Sequence, residues 1–514
     1  MTAAIAAPAT GARRGFDAWI DSWQNGGSRP ALQLLAVFAL LWWAFQLLSQ
    51  ASVGLHPDVV EVYAWSQHPS PGYFKHPPMN ALIAWTWLRL FPITEWSMHL
   101  LAMVVGAAAL FGADLIARRY LTGDKRLAAL LMLMLTPFYQ FHADNFSTNQ
   151  VMLLTWPFAT WAFLRSFQTR KIGWSALAGV LAAAAMLGKY YSVYLIGSFV
   201  VAALLHPARW RYLASPAPYT SALCGLATMA PNLYWLVTTG FQPFHYAYAL
   251  HGAVSPLAIL GADAGYLAGA AGYVALPVAA FLLAARPSRA TLRAALRPAD
   301  PDRRMLAHLL AGQVLLAPLS APVVGFIPTS LWVMPAVFLL PTILLAPPEV
   351  TLKRLWTRRL ALLVAAIAAA ALAAAPAVAW VRHHIGDKDH RDAFAPASLE
   401  LTQLWREAAP GRPLTIVRGD LDFAYAAAFY SPDHPDAAPG WDLSASPWVT
   451  PQRLASEGWA MICIGGDPWF APDGCRQHAP PGAEVRDFET RTSFMGDAGK
   501  PTEVTVVIVP PASR

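Results

Sequence analysis

The sequence predicts a polytopic α-helical membrane protein: about eleven transmembrane helices of the kind that span a bilayer, then a small C-terminal extracytoplasmic α/β domain. Three observations carry this expectation. Of 514 residues, 56% are hydrophobic and only 13% are charged, whereas soluble domains are about a quarter charged. The apolar residues fall in runs near the ~20 residues that cross a ~30 Å hydrocarbon core. After residue 381 those runs stop, and β-prone runs (PLTIVRG, WAMICIGG, EVTVVIVPP) alternate with the helix-prone ASLELTQLWREAA and TPQRLASEG, the pattern of a small α/β unit.

The expected spans are 31–50, 97–116, 127–142, 150–165, 173–188, 190–206, 216–238, 256–285, 305–321, 329–347 and 360–381. Pro318, Pro322 and Pro328 interrupt the region 305–347, which therefore admits other divisions. Basic clusters at Arg13/Arg14, Arg118/Arg119/Lys125/Arg126, Arg165/Arg170/Lys171, Arg209/Arg211, 286–304 and Lys353/Arg354/Arg358/Arg359 all fall on one side. The opposite loops, including 142–149, 239–255 and 322–328, hold almost no lysine or arginine. Positively charged loops stay in the cytoplasm during insertion. The expected organisation is thus a cytoplasmic segment 1–30, a transmembrane domain 31–381 with an external loop 51–96, and a periplasmic domain 382–514 of a bacterial inner-membrane protein.

The net charge of +7 would suit nucleic acid only if the basic residues gathered on one surface. They lie between apolar runs instead, so the bilayer is the expected partner and nucleic acid is not. No apolar core precedes Arg13 and Arg14, so the first span serves as an uncleaved anchor. Cys224 sits in an apolar run as a small buried thiol. Cys463 and Cys475 lie close together in the polar tail and suit a bridge in an oxidising compartment. No internal repeat of the kind found in two-halved transporters is visible.

The stretch GLHPDVVEVYAWSQHPSPGYFKHPPMNALIAW (54–85) crowds polar groups directly after the first span, and long connections of this kind are more often functional than filler. DVVEVYAWSQ suits a helix lying at the membrane interface with Tyr63 and Trp65 as anchors. Two roles fit Asp58: a helix N-cap, or a general base whose partial desolvation sharpens its pull on a proton. Glu61, one turn on, is a second acid, a metal ligand or a solvated face residue. Lys75 and His76 can meet a lipid phosphate near the headgroups, or Lys75 can simply snorkel. Pro77 and Pro78 start the next helix.

The order Asp58, WSQ at 65–67 and GYFKHPPM at 72–79 resembles the first external loop of bacterial polytopic glycosyltransferases of the family 39 and aminoarabinose-transferase type, which have the GT-C fold. Those enzymes show DEAYYW-WSQ followed by GYFDHPP, and alignment at WSQ brings their loop aspartate onto Asp58. Here Val59 replaces the adjacent acid and Lys75 the acid after YF; His76 stands where the aminoarabinose branch has a lysine that touches the donor phosphate. The resemblance extends to HADNFSTNQVMLLTWPFATWAFLRSF (142–167) and LGKYYSVYLI (187–196). Many relatives have TPDA where this chain has TNQV, so Gln150 takes the place of their second aspartate.

Asp144 can substitute for that aspartate or cap a helix, and Asn145 and Asn149 suit sugar hydroxyls or a turn. Lys189 and Tyr190 form the KY element that in the family faces the cavity and assists the lipid phosphate; a lysine beside tyrosines also suits an interfacial anchor. TTGFQPFHYAYALHG adds His245, Tyr246 and His251 to the external side. No cofactor is certain: the histidine pair can bind a divalent metal, but nothing completes a ligand set of the usual spacing.

The resemblance implies an inverting glycosyltransferase with a polyprenyl-phosphate sugar donor, acting on a hydroxyl or phosphate of a cell-envelope lipid such as lipid A, a glycan or a protein on the periplasmic face. Asp58 would act as base, with Lys75, His76 or Lys189 on the phosphate. Two other classes compete. A lipid transporter or flippase needs ionisable residues along a path within the helices, where Asp114 is the main intramembrane carboxylate. A membrane scaffold would use the external domain, whose GDLDFAYAAAFYSPDHP run (419–435) suits carbohydrate contact or a core.

Overall fold

A computed structural model of the chain describes residues 9–143, 145–252, 255–464 and 474–511. The membrane part runs through α1 (Ala9–Asp21), α2 (Arg29–Ser49), α3 (Pro57–Ser66), α4 (Met79–Trp87), α5 (Glu95–Ala117), α6 (Gly123–Leu133), α7 (Thr148–Thr169), α8 (Ile172–Gly188) and α9 (Val193–Leu205). It continues through α10 (Arg209–Leu213), α11 (Ala217–Thr238), α12 (Gln242–His251), α13 (Pro256–Ala285), α14 (Arg289–Leu296), α15 (Pro301–Val324), α16 (Leu340–Leu345) and α17 (Arg354–Ile385). Among the described residues five helices, α2, α5, α13, α15 and α17, are long and apolar enough to cross a membrane. Helices α7 and α11 have 22 residues each. Small residues bring neighbours together: a Cβ at Gly179 in α8 would collide with the Ser221 carbonyl of α11.

Two expected spans are not continuous helices. The segment 127–142 is the eleven-residue α6 followed by 3-10 turns at Pro137–Tyr139 and Phe141–Ala143, because Pro137 cannot continue the ladder. The segment 329–347 is divided into 3-10 turns Ser330–Val333 and Val337–Leu339 and the short α16, with Pro335 and Pro341 at the breaks. Phe138, Tyr139, Val333, Met334 and Phe338 are buried, so protein rather than lipid surrounds this irregular backbone, as its hydrogen-bonding groups require.

The basic loops do share one end. Arg354 pairs with Asp21 at 2.7 Å and Asp124 at 3.0 Å, and Arg358 pairs with Asp17. Lys125 donates to the Pro347 carbonyl at 2.9 Å and Arg303 to that of Ala346 at 3.0 Å. Above them Asp114 accepts two bonds from Arg126, at 2.7 and 2.6 Å, with neither side chain exposed. The intramembrane carboxylate is therefore half of a fixed ion pair.

Helix α17 ends at Ile385, and a short turn through Gly386 leads into the C-terminal unit, which contains α18 (Arg391–Ala408), β1 (Ile416–Gly419), α19 (Leu421–Tyr430), β2 (Asp436–Ala437), α20 (Pro451–Glu457), β3 (Trp459–Ile464), α21 (Gly474–Gln477), β4 (Glu484–Thr490), β5 (Ser493–Phe494), β6 (Asp497–Ala498) and β7 (Thr502–Val509). The main sheet has the order β2-β1-β3-β7-β4. Strand β1 is parallel to β2 and β3, and β7 is antiparallel to β3 and β4. Strands β1, β3 and β7 are the three β-prone runs. Strand β4 (EVRDFET) is a largely uncovered edge with no apolar alternation to announce it. Cys463 and Cys475 form a disulfide.

Helix α19 places this unit against the external loop. Its GDLDFAYAAAFYSPDHP run serves as core: Ala424, Tyr425, Ala426 and Ala427 are fully buried. Trp65 donates to the Tyr425 hydroxyl at 3.2 Å, and Tyr63 meets Phe429 edge-on with ring centroids 5.0 Å apart. Tyr63 and Trp65 are thus not interfacial anchors. At 1% and 0% exposure they are enclosed by a helix far along the chain, whose apolar face needed covering.

Candidate active site

Helix α3 begins at His56, whose extended backbone and Nδ1 form the N-cap: Nδ1 accepts the Asp58 N–H at 3.2 Å. Pro57, with no N–H to satisfy, occupies the first turn. The capping role left open for Asp58 is therefore filled by His56. The Asp58 side chain keeps 48% of its surface and lines a cavity of about 310 Å³ with His56, His142, Asn145, Ser147, Asn149 and Met334. It is a solvated carboxylate rather than the partly desolvated one expected.

The far wall comes from the start of α7 with the residues before it and from the broken segment at 330–334, and the α8–α9 junction stands behind Asn149. Lys189 follows the C-terminus of α8 and donates to Asn149 Oδ1 at 2.9 Å; its ammonium lies 4.9 Å from the centre of the Trp332 ring. Burial lowers Lys189 to about 8, against the opposing attraction of Asp58. His251, at the end of α12, packs on the same Trp332 at 4.8 Å. Burial and then the Lys189 charge push it below the usual histidine range.

A second group adjoins the first. Glu61 lies one turn after Asp58 on α3, on the same face, and accepts a bond from Lys75 Nζ at 2.6 Å. The Lys75 and Glu61 side chains are 11% and 5% exposed, so Glu61 is not a solvated face residue. Burial pushes Glu61 up to about 7, against the pull of Lys75. Burial disfavours the Lys75 charge too, but the Glu61 carboxylate outweighs it and holds Lys75 above the usual lysine range. The Lys75 ammonium also stands 5.7 Å from the Phe74 ring centre and 5.4 Å from that of Tyr246. His76 is buried, and burial followed by the charges of Lys189 and Lys75 keeps it well below its ordinary value. The two lysines therefore act on one neutral imidazole.

The structure thus brings together Asp58, Glu61, Lys75, His76, Asn145, Asn149, Lys189 and His251. Asp144 lies outside the described residues. Tyr63 belongs to the core against α19, and His245 is exposed, whereas Tyr246 beside it turns to Lys75. Tyr190 donates to Asn232 at 3.0 Å and stacks on Phe244, and Asn232 in turn holds the Pro71 carbonyl at 2.7 Å, so Tyr190 braces the loop that carries Lys75. Gln150 is buried and donates to the His142 carbonyl at 2.8 Å, a structural bond where a second aspartate would stand. Sequence reasoning missed His56, His142, Trp332 and Tyr425. His-Pro-Asp at a helix start was a readable capping signal for His56; Trp332 had none, because its segment reads as a span. Among the described residues no group of three or more His, Cys, Asp or Glu could hold a metal ion.

Residues 75–235 match the sequence model of the dolichyl-phosphate-mannose-protein mannosyltransferase family. Lipid A galacturonosyltransferase RgtD of Rhizobium johnstonii is 25% identical over 208 residues, 40% of this chain. The matched stretch is 43% of the length of that relative. Crystal structures of ArnT from Cupriavidus metallidurans, bound to undecaprenyl phosphate and in the apo state, each superpose with a TM-score of 0.59 at 15% identity. They cover 93% of this chain and 98% and 97% of theirs. The likeness read from the first external loop is borne out, and the fold is that of a polytopic GT-C membrane protein with a small C-terminal α/β unit.

Proposed function

We propose that the chain is an inverting glycosyltransferase of the bacterial inner membrane. It moves a sugar from a polyprenyl-phosphate donor to a hydroxyl or phosphate of a cell-envelope lipid, glycan or protein at the periplasmic face. One observation carries this reading: the solvated carboxylate of Asp58 and the Asn149 that holds Lys189 line the same cavity, at the end of the bundle opposite the basic loops. A base on the cavity wall and a buried cation one hydrogen bond behind that wall suit displacement of a phosphate by a hydroxyl. The name of RgtD makes lipid A the first acceptor to test, and undecaprenyl phosphate on an ArnT of the same fold makes that lipid the first donor carrier to test.

In the proposed reaction Asp58 takes the proton of the acceptor hydroxyl while its oxygen attacks the anomeric carbon from the face opposite the phosphate. The new C–O bond forms as the bond to the phosphate oxygen breaks, and the electron pair leaves on the phosphate. Lys189 sits where that charge develops, in a buried setting that strengthens its effect. Attack opposite the leaving group inverts the anomeric centre. A lipid-linked donor reaches this site from within the bilayer, so no nucleotide-binding domain is needed.

The test is mass spectrometry of envelope lipids and glycans from a strain lacking the protein, complemented with wild type or with Asp58→Asn. The reading requires a sugar that disappears on deletion and returns only with wild type, although the variant is inserted and folded. Restoration by Asp58→Asn would instead indicate a scaffold.

A further inference from the structure

We infer that Glu61 competes with the lipid-linked phosphate for Lys75, and that this competition sets how tightly a polyprenyl phosphate is held and how readily it leaves. The inference rests on the proposed function and adds to it that Lys75, with Lys189, seats the donor phosphate.

Its basis is the geometry of a cross-segment ion pair. Glu61 belongs to α3 and Lys75 to the loop before α4, and the two meet at 2.6 Å with little surface left to water. Phe74 and Tyr246 present ring faces to the same ammonium, and Tyr425 of α19 closes the group near both charges. The ammonium has three N–H donors, and among the described residues Glu61 is its single ion-pair partner. A phosphate that recruits Lys75 must therefore take it from Glu61 or share it.

Charge balance points the same way. Glu61 feels the fields of Asp58 and Asp422 as well as that of Lys75, and His76, under the charges of both lysines, is neutral. Three carboxylates thus face two ammonium groups before any phosphate enters, with the hydroxyls of Tyr246 and Tyr425 alongside. An added phosphate is compensated when Glu61 takes up a proton from solvent and releases Lys75, and burial already pushes Glu61 up to about 7. Transfer of the sugar turns a phosphodiester into a monoester of higher charge, which binds the lysines more strongly. Return of that proton to solvent re-ionises Glu61, which then reclaims Lys75 and helps the product depart.

The experiment measures binding of undecaprenyl phosphate to the purified full-length chain in nanodiscs, for wild type, Glu61→Gln, Glu61→Asp, Lys75→Met, Lys189→Met and Glu61→Gln/Lys75→Met. Thermal unfolding serves as the folding control. Glu61→Gln is expected to bind roughly tenfold more tightly, a change of about 1.4 kcal/mol. Lys75→Met should bind more weakly, and the double variant should match Lys75→Met, since the gain acts through that lysine. Glu61→Asp, too short to keep the contact, should also tighten binding and supplies the reading if Glu61→Gln does not fold. Unchanged or weaker binding in the Glu61 variants, with Lys75→Met impaired, would overturn the competition and leave the phosphate seat standing. Wild-type binding in both Lys75→Met and Lys189→Met would overturn the seat itself.

Discussion

The imidazole of His56 accepts the backbone N–H of Asp58 through Nδ1 at 3.2 Å, and the same ring lies 3.8 Å from Asp58 Oδ2. The cap is thereby supplied from outside the helix, and the aspartate carboxylate stays free at the cavity wall. With Nδ1 accepting, a neutral His56 carries its proton on Nε2.

Asp58→Asn keeps the size of the side chain and removes the proposed base. Turnover is expected to fall by about 10²–10⁴, the usual contribution of a positioned general base, with thermal unfolding and undecaprenyl phosphate binding unchanged. Equal loss of binding would show that Asp58 holds the donor rather than the acceptor proton.

His56→Ala removes the cap and is expected to cost about 1 kcal/mol of stability. It should also lower turnover, because the start of α3 carries the proposed base. His56→Asn can accept the same N–H and should restore both. Thermal unfolding and initial rates of the two variants check this; recovery of stability without activity would assign the Nε2 side a role of its own.

Lys189, lowered to about 8, should lose its charge as pH rises through that value, so kcat/KM is expected to fall on the alkaline side with a midpoint near 8. A bound phosphate favours the ammonium form, so the same limb should lie at higher pH in kcat. In unfolded chains the lysine stays protonated up to about 10.4. Between the two values the unfolded state binds the extra proton, and this residue's contribution to stability therefore rises with pH. Lys189→Arg should remove the alkaline limb near 8; its persistence would assign that limb to another group.

Gly54 lies where the end of the first span meets the C-terminal unit. An added Cβ would stand 2.8 Å from the Tyr430 hydroxyl and 2.9 Å from the Arg391 carbonyl oxygen. The Tyr430 side chain can yield but the backbone cannot, so Gly54→Ala is expected to destabilise by about 1–3 kcal/mol, as overpacking does. Turnover should drop with it, since α19 supports α3. Limited proteolysis at the junction reads the loosening directly.

Asp114→Ala would leave Arg126 buried without its partner, at an expected cost of about 3–5 kcal/mol. Replacing both by Leu and Met should be far milder. Thermal unfolding of the two variants, compared with rates per folded molecule, separates this structural pair from a transport path: a pair that only holds α5 to α6 leaves the rate unchanged.

Much of this molecule is legible in its residues because the signals are local. Each apolar run from 31–50 to 360–381 reports its own transfer free energy, and charge in the loops sorts them to two ends, where the ion pairs of Arg354 and Arg358 indeed gather. The alternating apolar runs of β1, β3 and β7 mark strands, whereas the polar edge β4 leaves no such trace. The motif through Asp58, WSQ and GYFKHPP marks the cavity carboxylate and Lys75, and the separate KY element marks Lys189.

What the sequence alone determined, then, is the membrane class, the long apolar helices α2, α5, α13, α15 and α17, the C-terminal α/β unit and the external loop that carries Asp58 and Lys75. Only the tertiary structure decided that Tyr63 and Trp65 face α19 instead of lipid, that His56 rather than Asp58 caps α3, that Glu61 holds Lys75, and that Asn149 and Trp332 hold Lys189. The physical reason is range: hydropathy and turn chemistry act within a few residues. Partners such as Trp65 and Tyr425, separated by 360 positions, are chosen by packing and charge compensation across the whole fold.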